Sequence, residues 1–224
     1  MRAVVVEAPG AIEALVIQNV PDPEPAPGQV LIEISYAGCN WADTQVRSGI
    51  YPHPVDFPVI PGFEISGTVI GLGEGVTSVK PGDRVTAIPS MGGYAQKCVV
   101  DEALVTKIPD EVGLDVAAAF PIQALTAYHM LYTVCNLKKD DVVLVHAAGG
   151  GVGLLVIQMA VHAGCRVIGT VGTPGKEIKA LEYGAERVIN LNKEDFVAVV
   201  RDMTDGRGVD LVIDSLGAET LDRT

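Results

Sequence analysis

VVLVHAAGGGVGLLVIQMAVHAGCRVIGTV, residues 142–171, is the stretch of sequence that decides the fold. Val142–Val145 are aliphatic without alternation, which is typical of a parallel β-strand covered on both faces. A glycine-rich turn follows, then an apolar segment of helical length, and then a second aliphatic run over Arg166–Val171. This order predicts a strand–helix–strand unit, with a helix over about 152–163 that ends at Gly164.

The turn carries small residues at the spacing of a dinucleotide fingerprint. Ala147, Gly150 and Gly153 recur every three residues, with alanine at the first position, where glycine is usual. Such residues let the backbone turn sharply, approach a pyrophosphate and pack the helix against the strand. The free N–H groups at the helix start, which includes Gly151 and Val152, would then face the phosphates. We therefore predict a nucleotide site formed by these five residues.

Two simpler structures fit parts of this stretch. A glycine run after a strand is often only a tight turn, but the strands and the helix around it favour the fingerprint. Residues 142–165 contain no Asp, Glu, Lys or Arg, as in a membrane span. Four glycines at the centre and charged residues at both ends argue against a span. We therefore predict a nucleotide site and no membrane segment.

The composition restricts the partners and the compartment. The chain has 224 residues, enough for two modest domains, and a formal net charge of −12. That charge repels phosphate backbones and anionic membrane surfaces, so we expect no nucleic-acid partner and no membrane partner. Four cysteines are scattered without a CxxC pair, which favours reduced thiols and a cytoplasmic location.

Proline placement predicts where the chain divides. Thirteen of the 14 prolines lie at or before Pro121. Because proline is poorly tolerated in helices and central strands, residues 1–120 are expected to form a turn-rich β barrel or sandwich. A helix over 116–131 would lead into residues 121–224, where strands and helices alternate as in a parallel α/β sheet. Few residues follow the fourth strand of this doubly wound sheet, so we expect the sheet to be incomplete at its C-terminal end.

The apolar runs predict the individual elements. In the first part, strands are expected at 30–36, 64–70, 83–88 and 94–100. In the second part, a helix would open at Pro174 and close at Gly184, followed by a strand at Arg187–Asn190, a helix at 194–203 and a strand at 209–214.

Seven short motifs, in this order, resemble one protein family: CNWADTQVRSGIYP (39–52), PGFEISGTV (61–69), KPGDRV (80–85), GGYAQ (92–96), LTAYHML (125–131), HAAGGGVG (146–153) and DSLG (214–217). They span nearly all of the chain, which resembles the medium-chain dehydrogenase/reductase superfamily, specifically its zinc-independent NADPH:quinone oxidoreductase (zeta-crystallin-like) branch. The resemblance implies an N-terminal GroES-like β barrel, a Rossmann-type sheet, NADPH as cofactor and a homodimer in the full-length form. Family members are longer, which implies C-terminal truncation.

The resemblance also bears on metal binding. Zinc dehydrogenases of the superfamily use a cysteine, then a histidine in a Gly-His-Glu triplet, then a distant cysteine. Here Cys39 stands at the first position, but Phe63 replaces the histidine and cannot donate to a metal. Because catalytic zinc needs three protein ligands, we predict no metal site and expect Cys39 to be a small buried residue.

Without a metal, a nicotinamide can pass hydride to an acceptor that is already electron-poor, such as a quinone or a carbonyl-conjugated alkene. Asn40 and Tyr51 match positions that line the active-site cleft of the quinone reductases. Asn40 would hydrogen-bond the substrate carbonyl or its developing oxyanion, and Tyr51 would close over the ring or assist proton delivery. Purely structural roles remain open for both. Gln45 stands where the family often has tyrosine, which leaves the pocket shape open.

The cofactor preference depends on the end of the second strand. NAD-binding versions of the fold place Asp or Glu there to hold the ribose hydroxyls. Residues 169–173, which include the predicted cofactor-binding residue Gly172, carry no carboxylate to repel a 2′-phosphate, and Lys176 matches the family's phosphate-binding lysine. Leu191 departs from the tyrosine that many relatives have near this phosphate. We predict NADPH over NADH.

Thr126 and Gln123 match family positions that face the nicotinamide or its ribose, although in the bare sequence they are ordinary polar residues of a helix.

Three functions fit the whole pattern. The first is an NADPH-dependent quinone reductase, the second an NADPH-dependent enoyl reductase of the small-molecule or polyketide type, and the third a non-catalytic NADPH-binding or crystallin-like fragment.

Overall fold

The computed structural model describes residues 1–223, which form two compact units. The first unit is Met1–Ile122, and the second begins at Gln123. The division lies near the start of a helix that begins with Pro121. None of the helices within residues 1–223 has the length and apolar character that a bilayer crossing requires.

The first unit is antiparallel β structure with two short helices. Its elements are β1 (Arg2–Val5), β2 (Val16–Asn19), β3 (Gln29–Ala37), α1 (Trp41–Ser48), β4 (Ile65–Leu72), β5 (Arg84–Ala87), β6 (Lys97–Asp101), β7 (Val105–Lys107) and α2 (Leu114–Ala118). Five strands pair in the order β6-β3-β4-β5-β7, and β1 pairs with β2. The four strands predicted from the apolar runs correspond to β3, β4, β5 and β6. This antiparallel arrangement agrees with the β domain that the motifs implied.

Two central strands of this sheet approach closely because one position lacks a side chain. Val30 and Ile32 of β3 are fully buried, and they belong to the core cluster that also contains Ile65 and Val85. Gly67 of β4 pairs with β3, and a Cβ atom there would lie 2.0 Å from the backbone oxygen of Glu33. Only glycine fits at this point of the ladder.

The predicted single helix over 116–131 is wrong. The helical run is broken once: α2 ends at Ala118, and a second helix begins as α3 (Pro121–Tyr128) and continues without a break as a π-helical segment (His129–Val134). Proline has no N–H group and disfavours helical backbone at the residue before it, here Phe120. The chain therefore leaves α2 at Ala119 and begins a new helix with Pro121 in the first helical position.

The second unit is a four-stranded parallel sheet with helices on both faces. After α3 it contains β8 (Val142–Val145), α4 (Gly151–His162), β9 (Arg166–Val171), α5 (Glu177–Glu182), β10 (Arg187–Asn190), α6 (Phe196–Met203), β11 (Leu211–Ile213) and α7 (Ala218–Leu221). The strand order is β10-β9-β8-β11, and every pair is parallel. This is the 3-2-1-4 order of a Rossmann sheet, as predicted.

The central strand β8 is buried on both faces, as its aliphatic run predicted. Val143 and Val145 pack in one core cluster with Val156 of α4. Val142 and Leu144 pack in another, together with Phe196 at the start of α6. All four side chains of β8 are at most 2% exposed, so the strand is the axis on which both layers of helices pack.

Three element boundaries differ from the expectation for local reasons. Helix α5 begins at Glu177 and not at Pro174, because Gly175 between them has φ +88 and forms a turn. Helix α6 begins at Phe196, where the carboxylate of Asp195 accepts the N–H of Val197 at 3.1 Å. Strand β11 ends at Ile213, because the carboxylate of the next residue binds backbone N–H groups of the following turn.

The close approach at Gly67 gives a test of this sheet. Gly67→Ala should lower the free energy of unfolding by about 2 kcal/mol or more, because the new methyl group has no space beside the Glu33 carbonyl. Gly71→Ala, on the same strand, is the matched control, since its Cβ would meet only the Leu31 side chain at 3.4 Å. Urea unfolding followed by circular dichroism measures both; equal midpoints would contradict the assigned packing.

Candidate functional site

The glycine turn after β8 has the backbone shape of a phosphate-binding loop. Ala147 has φ +50, a left-handed conformation that L-residues adopt at a cost of about 1–2 kcal/mol. The N–H of Ala148 donates to the oxygen of Thr170 on β9 at 2.9 Å, and the N–H of Gly150 donates to Ala147 at 2.9 Å. The turn is thus held to the neighbouring strand and closed on itself before α4 begins.

Two glycines of the turn have no space for a side chain. A Cβ at Gly153 would lie 2.6 Å from the oxygen of Ala147, and a Cβ at Gly149 would lie 2.7 Å from the Cβ of Lys176. Gly153 lets α4 pack against the turn, as the fingerprint predicted. Gly149 was not predicted. The absence of a side chain at Gly149 allows the chain after β9 to pack beside the turn, and the sequence does not show this contact.

The start of α4 presents backbone donors. Gly150 precedes the helix without a side-chain cap, and the first N–H in the helix to reach a carbonyl is that of Leu154, which donates to Gly150 at 2.9 Å. The N–H groups of Gly151, Val152 and Gly153 therefore come before the helical ladder and can serve an anion. Geometry and dipole both favour a phosphate here.

The segment that follows β9 contains a lysine next to this turn, and no carboxylate lies between the strand and that lysine. Gly172 is exposed, and a Cβ there would meet no atom within 4 Å, so the space around it is open. Lys176 is exposed, and within residues 1–223 its ammonium group forms no hydrogen bond or ion pair. The first carboxylate after the strand is that of Glu177, on α5. Because Gly149 packs on the Cβ and backbone of Lys176, the base of this lysine lies next to the proposed phosphate loop.

The loop after β10 reaches the same edge of the sheet. Leu191 donates its N–H to the oxygen of Val171 at 2.9 Å, and the side-chain amide of Asn192 donates to the oxygen of Gly172. Asn192 therefore supports the residue where a 2′-phosphate is expected. Its part was missed, because only the strand order brings residues so far apart in sequence together.

A buried histidine lies directly below the turn. His146 is 1% exposed, its Nδ1 lies 2.8 Å from Oγ1 of Thr170, and its ring meets Phe196 edge-on at 5.0 Å. Burial lowers the pKa of His146, while the charge of Asp214 acts in the opposite direction. A neutral imidazole bound to Thr170 supports the loop from inside the core, as expected of a structural histidine.

In the first unit, Asn40 is at the centre of a polar network. It caps the start of α1, where its backbone N–H donates to Oδ2 of Asp43 at 2.8 Å. Its side-chain Nδ2 donates to Oε1 of Glu64 at 2.8 Å. Asp43 is 6% exposed and also accepts the hydroxyl of Tyr94 at 2.9 Å and the N–H of Gly62 at 3.1 Å. The backbone and the side chain of Asn40 are therefore both fixed.

The Glu64 carboxyl group and the Tyr94 phenol of this network have pKa values raised by their surroundings. Glu64 is fully buried; desolvation raises its pKa, and the hydrogen bonds from Ile122 and Asn40 act against that rise. Burial raises the pKa of Tyr94 well above its ordinary value, and its neighbours Cys39 and Asp43 add to the rise. Glu64, Asp43 and Tyr94 were not predicted. The available signal was a charged residue inside each of the motifs CNWAD and PGFE.

Tyr51, the second predicted catalytic residue, is half-buried and packs on aromatic rings. Its ring centroid lies 5.5 Å from that of Phe63 and 5.8 Å from that of His53. Phe63 and Glu64 are consecutive, so Tyr51 and Asn40 contact the same short segment of chain. An aromatic pair therefore stands where zinc dehydrogenases of the superfamily have a metal-binding histidine.

The expectation that Cys39 is buried is wrong, because this residue is exposed. It follows β3 at the rim of the Asn40 network, where the chain turns into α1. All four cysteines are free thiols. Within residues 1–223, no group of three or more His, Cys, Asp and Glu side chains has metal-binding geometry.

The remaining predicted positions are placed as follows. Gln123 lies against the start of α4, where a Cβ on Gly151 would come 2.0 Å from its Oε1. Thr126 lies on α3 with an exposed side chain. Gln45 is half-buried on α1. Gln123 thus packs over the proposed phosphate loop, which the sequence pattern alone did not indicate.

Comparison with known proteins agrees with both units. Residues 26–110 match the alcohol dehydrogenase GroES-like domain, and residues 151–224 match the zinc-binding dehydrogenase family. A probable quinone oxidoreductase of Schizosaccharomyces pombe is 41% identical over 95% of this chain and 63% of its own length. A 2-haloacrylate reductase of a Burkholderia species is 37% identical over 100% of this chain and 69% of its own.

The solved structure of Escherichia coli quinone oxidoreductase complexed with NADPH superposes with a TM-score of 0.95 at 35% identity, over 100% of this chain and 68% of that one. The chain belongs to the quinone oxidoreductase branch of the medium-chain dehydrogenase/reductase superfamily. It spans about two thirds of the length of these relatives. One of the two matching families is described as zinc-binding. The absence of a metal site in this chain therefore stays a prediction.

The Tyr94 hydroxyl tests the polar network. Tyr94→Phe should lower the free energy of unfolding by about 1.5–3 kcal/mol at pH 7, because a buried carboxylate loses a donor. Because the folded pKa of Tyr94 is raised, the folded state holds this proton more firmly, and wild-type stability should fall as the pH rises above about 10. The variant should lack this loss.

Tyr36→Phe is the matched control for that substitution, since Tyr36 is 52% exposed on β3. Urea unfolding of the three proteins at neutral and alkaline pH gives the comparison. If both variants behave alike at each pH, the bond to Asp43 has no energetic role.

Proposed function

We propose that the protein carrying this chain is an NADPH-dependent oxidoreductase that reduces a quinone or a similar conjugated carbonyl compound without a metal ion. The observation that carries the proposal is the position of Lys176. This lysine follows β9, whose last residues and the loop to Thr173 contain no carboxylate, and it packs on Gly149 of the glycine turn. The NADPH-bound relative from Escherichia coli supports the same cofactor.

The residues of the second unit fit the cofactor. Gly149 and Gly153 have no room for a side chain, so the chain after β9 and helix α4 pack directly on the turn, which leaves backbone N–H groups for the diphosphate. The N–H groups of Gly151 and Val152 would donate to its oxygens, since they have no carbonyl partner in the helical ladder. Lys176 would hold the 2′-phosphate beside Gly172, since residues 169–173 contain no Asp or Glu. Ala147, Gly150 and Thr126 complete the proposed set.

A cavity at the C-terminal edge of the sheet suits the adenosine end. It has a volume of about 590 Å³, and its lining includes Leu191, Asn192 and Leu216 from the loops after β10 and β11. Ligands of open α/β sheets bind outside the carboxyl ends of the strands, at the switch point of the strand order. Leu191 offers an apolar wall where many relatives have tyrosine.

The residues of the first unit fit an acceptor that carries a carbonyl group. Bound NADPH supplies the hydride, so the protein has to bind, orient and polarise the acceptor. The amide of Asn40 can donate a hydrogen bond to the carbonyl oxygen as negative charge develops on it. Tyr51 presents a half-buried ring backed by Phe63, and its hydroxyl has no hydrogen bond within the described residues, which leaves it available to a ligand or a proton.

A second candidate function is the reduction of an activated alkene. The Burkholderia relative is a 2-haloacrylate reductase, and its identity to this chain is close to that of the quinone oxidoreductases. A carbonyl-conjugated alkene needs the same carbonyl donor, so Asn40 serves both substrates. A non-catalytic NADPH-binding role is the third candidate, and the acceptor experiment below distinguishes it from the two catalytic functions.

A cytoplasmic location and a homodimer stay proposals. The cytoplasmic location is supported by the four free thiols.

Substitution of Lys176 tests the cofactor preference. Lys176→Ala should weaken NADPH binding about ten- to a hundredfold, because one charge-assisted contact is lost, and should leave NADH binding unchanged. Lys179→Ala is the matched control on α5, since that ammonium pairs with Glu182 at 2.6 Å. Fluorescence titration of the intact protein with both cofactors measures the effect. An equal loss for NADPH and NADH would contradict the phosphate role.

Parallel turnover tests the acceptor and the metal. With NADPH in excess, the intact protein should reduce a quinone at a rate that prolonged dialysis against a chelator does not change. Faster reduction of an enone or a 2-haloacrylate would favour the alkene reductase, and cofactor binding without any turnover would favour the non-catalytic role. Loss of quinone turnover after chelation, with recovery on adding Zn²⁺, would overturn the metal-free proposal.

A further inference from the structure

Glu64 is a fully buried carboxylate whose two oxygens have different partners. Oε1 accepts the side-chain amide of Asn40 at 2.8 Å, and Oε2 accepts the backbone N–H of Ile122 at 2.9 Å. A buried charge is costly unless hydrogen bonds compensate it, so a carboxylate at this place requires a reason. Neither partner carries a compensating positive charge.

We propose that Glu64 is a positioning residue for the reaction, which holds the Asn40 carboxamide with one N–H turned towards Glu64 and the other left for the acceptor's carbonyl oxygen. This inference rests on the proposed function, in which Asn40 donates to that oxygen. In this inference, the buried carboxylate of Glu64 sets the direction in which Asn40 donates its hydrogen bond to the substrate.

The orientation follows from the donor and acceptor chemistry of the two groups. Both oxygens of Glu64 accept hydrogen bonds here, Oε1 from Asn40 and Oε2 from the N–H of Ile122, whereas a carboxamide has one accepting oxygen and two N–H donors. Glu64 therefore selects the rotamer of Asn40 in which the nitrogen faces it, since the opposite rotamer would oppose two acceptors. One N–H of Asn40 is used in this bond, and the second stays available.

The surrounding chain keeps both groups in place. A Cβ at Gly38 would lie 2.4 Å from Oε1 of Glu64 and 2.5 Å from the oxygen of Ala118, so only glycine leaves room for the carboxylate. Asp43 holds the backbone N–H of Asn40 at 2.8 Å. The amide can therefore neither shift along the chain nor turn over without breaking a hydrogen bond, which is the preorganisation that a catalytic donor needs.

Glu64→Gln reverses the selection with little change in volume. The N–H of Ile122 requires an acceptor, so the new amide would turn its oxygen to Ile122 and its NH₂ group to Asn40. Asn40 would then present its oxygen to residue 64, and its N–H groups would leave the position in which they meet the acceptor. We expect kcat of the intact protein to fall on the order of a hundredfold, with KM for NADPH unchanged.

A double-mutant cycle with Asn40→Ala separates positioning from a merely structural role. If Glu64 acts through Asn40, Glu64→Gln should have no further effect on kcat in the Asn40→Ala background. Glu33→Gln, an exposed carboxylate on β3, is the control and should match the wild type. Equal losses of kcat from Glu64→Gln in both backgrounds would overturn the inference.

The outcomes distinguish this inference from the proposed function. A wild-type protein without NADPH turnover on any acceptor overturns the proposed function, whereas an active wild type with an equally active Glu64→Gln overturns the inference alone. If Glu64→Gln does not fold, side-chain amide exchange in the wild type decides by NMR. One Asn40 N–H should be protected and the other exposed to exchange; two rapidly exchanging protons would overturn the inference.

Discussion

The structure of the nucleotide-binding unit depends on a steric constraint, namely the absence of space for side chains in the turn after β8. A methyl group at Gly153 would overlap the backbone of the turn, and one at Gly149 would overlap Lys176. The buried strand fixes where the turn begins, since all four of its side chains are buried in the core. Because the backbone is free of side chains at that point, both the helix and the following loop can approach it, and the same surface is then open to a diphosphate.

In the first unit, the corresponding constraint is the need to satisfy buried carboxylates. Asp43 collects donors from Asn40, Gly62 and Tyr94, and Glu64 collects donors from Asn40 and Ile122. Asn40 is the residue that both carboxylates share. A polar network of this kind is stabilising only when each member has its partners, so the arrangement leaves Asn40 little conformational freedom.

The sequence predicted the features that depend on local pattern. The strands Arg166–Val171 and Arg187–Asn190 were predicted with their observed bounds, because aliphatic runs between turns have few alternatives. The helix over 116–131 was mispredicted, because apolar periodicity continues through Pro121 although the backbone cannot. The contacts of Gly149 with Lys176, and of Asn192 with Gly172, join residues that only the strand order brings together. The polar network was missed for the same reason, although its members lie in motifs that were recognised.

The replacement of one zinc-ligand position changes what the same scaffold can do. A histidine at position 63 would place a metal donor beside Glu64, whereas Phe63 packs against Tyr51 and gives the site an apolar wall. Such a wall suits the flat ring or alkene of an acceptor that needs no Lewis acid. In the proposed function, a neutral hydrogen-bond donor polarises the carbonyl, and a neutral donor is effective only if its direction is fixed in advance. In the proposed arrangement, the buried Glu64 that follows Phe63 in the chain fixes that direction.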